Sequence, residues 1–84
     1  MTIELKNAKV ITLRNTSDNH FKFYTVKRAC GMRAVTMVWG RIGSRGQKPL
    51  RLFFDSKDEA TSFVMDKVFS KLDRGYRVSE LIAD

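Results

Sequence analysis

Trp39 and Arg41 stand two residues apart on what reads as the end of a β-strand, so their side chains share one face. A large ring beside a guanidinium suits gripping a charged polymer that itself carries rings, such as DNA or RNA. The ring can stack on a base or sugar while the guanidinium bridges phosphate oxygens. Val35 and Met37 fall on the same face, which leaves open a second reading of Trp39 as a core residue. Directly after the pair, Gly43-Ser44-Arg45-Gly46 forms a basic turn, with Lys48 and Arg51 beside it. Gly43 and Gly46 would let backbone N–H groups approach a phosphate closely. The plainer reading of the same residues is a hairpin turn with solvated charges.

The remaining charge supports an anionic partner. The net charge is +7, and residues 1–55 alone carry +8 while residues 56–84 carry −1. From Asn19 to Phe54 there is no acid, whereas Lys22, Lys27, Arg28, Arg33, Arg41, Arg45, Lys48 and Arg51 all fall there. A field of one sign favours polyanions, nucleic acid first and an anionic membrane surface second. Solubility alone does not require stripping every acid from one half of a chain. Lys22 and Arg28 share a strand face and Lys27 takes the other; each singly reads as solvated surface.

Other chemistries lack their residues. His20 and Cys30 are the only histidine and cysteine, so a zinc site of about four ligands cannot be assembled from them. Cys30 has no dependable base, which favours a buried or inert thiol over a nucleophile. Asp58, Glu59, Asp66 and Asp73 sit at the ends or on the polar side of a helix, as capping and solubility residues rather than an acid–base pair. The expectation is a non-enzyme that needs no cofactor. Gly43 to Gly46 is not the clamp that joins two helices in KH domains, because its flanks read as strands. Nor do Gly40, Gly43 and Gly46 have the spacing or βαβ setting of a dinucleotide loop.

Eighty-four residues bound the chain to a single domain over 1–84, and 43% hydrophobic residues give it a modest core. One cysteine excludes an internal disulfide and fits a reducing cytoplasm. No apolar run suggests a signal peptide or a membrane span.

Alternating aromatic and β-branched residues predict strands at Val10–Arg14, Phe21–Arg28, Ala34–Ile42 and Leu50–Phe54, with a polar loop from Asn15 to Asn19. The period then changes. Ser56-Lys57-Asp58-Glu59 is a capping box opening a helix from about Lys57 to Asp73. Ala60, Val64, Met65, Val68, Phe69 and Leu72 form its apolar side, with Phe63 at the edge, and Gly75 stops it. Tyr76-Arg77-Val78 is a candidate last strand. Together these predict an α+β domain: a small antiparallel sheet of four to five strands with one amphipathic helix packed on one face.

Trp39-Gly40-Arg41-Ile42-Gly43 followed by Gly46-Gln47 resembles the signature of the WGR domain. Phe23-Tyr24 in the early strand, Phe54-Asp55-Ser56 before the helix, Ala60 and Phe63 within it, and Lys71, Gly75 and Tyr76 at the close extend the likeness from about Val10 to Tyr76. The family occurs in DNA-dependent poly(ADP-ribose) polymerases and as short bacterial proteins. The resemblance implies a sheet with one helix and no catalytic centre. It also implies a role as a DNA-break reader, with Trp39 stacking near a strand end and Arg41 on the backbone. Lys71 is expected to snorkel along the core edge or pair with an acid. With no polymerase domain beside it, binding is expected without the relay to an enzyme. The sequence therefore predicts a stand-alone nucleic-acid-binding module, DNA before RNA, acting through Trp39, Arg41 and the basic turn. The competing reading is a protein-interaction module that docks an acidic partner or forms a homodimer.

Overall fold

A computed structural model describes residues 5–17 and 21–83. The expectations for Asp18, Asn19 and His20 lie outside the described residues. A 3-10 turn at Leu5–Asn7 leads into β1 (Ala8–Asn15). Then come β2 (Lys22–Ala29), β3 (Ala34–Arg41), β4 (Leu50–Phe53), α1 (Lys57–Asp73) and β5 (Arg77–Ala83). The strands form one antiparallel sheet in the order β4-β3-β2-β1-β5. The predicted α+β architecture is the observed one. The first four strands each pair with their neighbour in sequence. The helix leaves from the β4 edge and returns the chain to β5 at the opposite edge, so it crosses one face of the sheet.

Register fixes that face. Ile11 opposes Val26, which opposes Met37; Leu13 opposes Tyr24, which opposes Trp39. These side chains meet Ala60, Val64 and Val68 of α1 in the core. Full burial of Ile11, Leu13, Val26 and Val64 contributes roughly 1.5–3 kcal/mol each. Ser56 caps α1 by accepting from the Glu59 N–H at 3.1 Å. Gly75, at φ +97°, ends it.

Four details differ from the sequence reading. Asn15 ends β1 instead of opening a loop, because its buried side chain is used: Nδ2 donates to the Arg74 carbonyl and Oδ1 accepts from the Ser17 N–H and hydroxyl. Phe69 is 53% exposed and not part of the apolar stripe. It lies about two and a half turns beyond Ala60, on the opposite side of the helix. The last strand runs to Ala83, held by antiparallel pairing along β1. Arg28, expected on the surface, is buried, because it alternates onto the helix side with Val26 and Tyr24.

Candidate nucleic-acid interface

The helix-side face of the sheet runs out of apolar residues at one end. Beyond the row of Leu13, Tyr24 and Trp39 comes a row of Asn15, Lys22 and Arg41, paired across β1, β2 and β3. Lys22 and Arg41 are thus like charges directly opposite on adjacent strands, an arrangement that costs stability by itself. The last turns of α1 add Lys67, Lys71 and Arg74 at spacings of four and three residues, which places them on one side of the helix. The negative end of the helix dipole offsets part of this crowding.

Aromatic rings organise the cations. Trp39 is half-buried and stacks on Tyr24, with ring centroids 6.0 Å apart and planes 24° from parallel. Lys71 Nζ lies 4.9 Å from the Tyr24 ring centre and 5.4 Å from that of Tyr76. The Tyr24 hydroxyl donates to the Met37 sulfur at 3.0 Å, fixing the ring from below. Burial, and then the neighbouring Tyr76, push the Tyr24 phenol above its ordinary pKa. Burial first, then the charges of Arg74, Lys67 and Lys22, hold the Lys71 ammonium below the ordinary lysine value.

Three clefts open around Lys71. The largest, about 330 Å³, is walled by Lys22, Phe23, Trp39, Gly40, Arg41, Gln47, Lys71 and Tyr76. A second of about 240 Å³ has Tyr24, Trp39 and Leu50 with Lys67, Lys71 and Arg74 on its wall. The third, about 170 Å³, lies between Asn15, Lys22, Lys71, Arg74 and Tyr76. Among the described residues no acid lines any of the three.

The predicted site residues divide by position. Trp39 and Arg41 come together on the helix side, as their spacing required. Trp39 packs on the core, as one of its two readings has it, and also lines two clefts. Arg45 and Lys48 are exposed on the loop after β3 and line none of these clefts. Arg51 opposes Thr36 and therefore occupies the other face of the sheet. Gly43, at φ +93°, has open space around it. Gly46 donates its N–H to the Ser44 hydroxyl at 3.2 Å, so that donor is already engaged. Its lack of a side chain has a packing cause. A Cβ at Gly46 would lie 2.8 Å from the Trp39 carbonyl oxygen and 2.8 Å from the Phe23 ring, and one at Gly40 would lie 2.7 Å from the Gly46 Cα. The loop folds back against β3 at this contact, and the Gln47 N–H donates to the Trp39 carbonyl at 2.9 Å.

Sequence reasoning missed Lys67 and Arg74 and undervalued Lys71. The signal was present in their spacing on one helix side, but it pointed nowhere until the helix was docked. Lys71 snorkels, as expected, over two tyrosines. Cys30 is exposed in the turn after β2, not buried. Arg28 has the opposite character to the cleft cations. It is 1% exposed and donates to the Lys6 carbonyl at 2.8 Å, the Met32 carbonyl at 3.1 Å and the Thr61 hydroxyl at 2.6 Å. Among the described residues its Nε finds no partner. Among the described residues no cluster of His, Cys, Asp or Glu could hold a metal ion, and no helix is long and apolar enough to cross a membrane.

The family model of the WGR domain matches residues 8–81, nearly the whole chain. No curated protein and no solved structure matches it.

Proposed function

This chain belongs to the WGR domain family, and we propose that it is a module that grips DNA at ends, nicks or junctions. Members of the family are small non-catalytic domains that generally bind nucleic acids in proteins resembling poly(ADP-ribose) polymerases. The observation that carries the reading is the like-charged pair Lys22 and Arg41 beside Trp39, in clefts that Lys71 and Arg74 share and that no acid among the described residues lines. Such a row costs stability unless an anion from outside neutralises it. Arg41 takes phosphate oxygens, Trp39 offers its exposed edge to a base or sugar, and Lys22, Lys71 and Arg74 neutralise adjacent phosphates. Arg45, Lys48 and the open Gly43 extend the basic path along the loop, and Arg51 contributes only to the long-range field from the other face. Base identity is not read, because these contacts go to backbone and ring faces. DNA is preferred to RNA, no cofactor is required, and the lone thiol fits work in the cytoplasm.

Fluorescence anisotropy of labelled duplex, nicked and single-stranded DNA tests the proposal, with wild type and Arg41→Ala at several salt concentrations. Neutralising about four phosphates gives a slope of log K against log salt on the order of −3 to −4. Binding indifferent to both salt and Arg41 would remove the reading.

A protein-interaction reading has one observation in its favour. β4 is a free edge strand with Leu50 and Phe53 exposed, Phe53 by 71%. Docking there predicts association that Phe53→Ser abolishes and Arg41→Ala leaves intact.

A further inference from the structure

We propose that Lys71 is an acylation site, modified by small acyl phosphates that dock their phosphate on the cations around it. Three features of its position converge. Its Nζ sits over the faces of Tyr24 and Tyr76, and the residue lines all three clefts. Those same clefts present Lys22, Arg41, Lys67 and Arg74 to an incoming dianion. Among the described residues no carboxylate lies on their walls to hold the ammonium in its charged form. Burial and the cations Arg74, Lys67 and Lys22 favour the free amine, the form that attacks. The two ring faces oppose this in part, since they attract the ammonium.

The step balances without a further reagent. The Nζ lone pair forms a bond to the acyl carbon, and the carbon–oxygen bond to phosphate breaks. Phosphate leaves with that electron pair, stabilised by the neighbouring cations, and the surplus proton passes to water. The product is a neutral amide at the centre of the basic clefts. Loss of that charge releases a bound polyanion; this consequence rests on the nucleic-acid reading, whereas the acylation itself does not.

The chain contains eight lysines, which provide an internal control. The whole protein is incubated with acetyl phosphate and, in parallel, with the acetyl ester of N-hydroxysuccinimide, a donor with no phosphate. Acetylation is followed at every lysine by peptide mass spectrometry. Lys71 is expected to gain acetyl from acetyl phosphate several-fold faster than the median lysine. Excess inorganic phosphate and Arg74→Ala should each shrink that lead, and the ester should show a smaller one. Lys71 reacting no faster than Lys9 or Lys57 overturns the proposal. A lead of equal size with both donors overturns the docked phosphate. Anisotropy on the acetylated protein then reads the consequence. Reduced DNA affinity supports it, and unchanged affinity refutes it. A protein that binds no DNA before treatment sinks the nucleic-acid reading, and the acetylation rates alone then decide whether Lys71 is an acylation site.

Discussion

β2 carries a cation at each end of its helix-side face, and the two have opposite fates. Arg28, near the C-terminal end, is surrounded by oxygens: the Lys6 and Met32 carbonyls and the Thr61 hydroxyl. Lys22, at the N-terminal end, faces Arg41 across the strands and shares its clefts with Lys71 and Arg74. At the first end the protein supplies the acceptors, so the guanidinium serves the fold by tying the leading turn, the β2–β3 turn and α1 together. At the second end the described residues supply no such acceptors, and the proposed function has them come from outside. The same residue class on one strand is scaffold where its hydrogen bonds close internally and, on the proposed reading, binding surface where they do not.

The largest expected effect lies at the scaffold end. Arg28→Leu strands two carbonyls and a hydroxyl and should lower stability by about 2–4 kcal/mol. Urea unfolding measures the loss, and DNA affinity per folded molecule should be unchanged. An affinity loss exceeding the stability loss would break the division between the two ends. Next comes Arg41→Ala, whose side chain is exposed. Losing a charge-assisted contact to phosphate costs roughly 1.5–3 kcal/mol of binding, a tenfold effect or more. Its urea midpoint should hold or rise, since Lys22 loses a like-charged neighbour. A fall in midpoint that tracks the affinity loss would make Arg41 structural.

The loop beside the cleft gives a third, intermediate case. Gly46→Ala forces a side chain into a left-handed backbone at φ +81° and against the Trp39 carbonyl. The cost should be about 1–3 kcal/mol of stability. Because the clash falls on Trp39, binding should weaken beyond what unfolding explains, and tryptophan emission should shift. Gly43→Ala meets no atoms within 4 Å and bears only the backbone strain of φ +93°, so Trp39 emission should stay put. If both variants behave alike, the Gly46 contact with β3 is not what positions the ring.

Local chemistry made most of the fold legible. Alternation gave the strands, and Ser56 and Gly75 marked the two ends of α1. Trp39 and Arg41 could be paired from spacing alone because a strand has a period of two. What stayed hidden depended on docking. Nothing in the sequence near Lys67, Lys71 and Arg74 says that their side of α1 lies over the Tyr24 row. Arg51 looked close to Arg45 along the chain, but strand alternation sends it to the far face. Arg28 looked like surface because arginine is rarely buried, and the oxygens that enclose it come from three separate segments.

The smallest effect is a pH dependence that separates the two ends once more. The folded state holds Lys71 below its ordinary 10.5. In the window under that value the unfolded chain therefore carries more protons at this position, and stability rises as pH climbs through it. Tyr24 is shifted the other way, above its ordinary 10.0. Past that value the folded chain holds the extra proton, and stability falls with further increase. Urea midpoints of wild type should accordingly climb towards pH 10 and then turn down. Lys71→Met should remove the climb and keep the downturn, while Arg28→Leu, though less stable throughout, should keep both. An unaltered climb in Lys71→Met would mean that Lys71, part-buried among the cleft cations, is not its source, and that the contrast with Arg28 rests on hydrogen bonding alone.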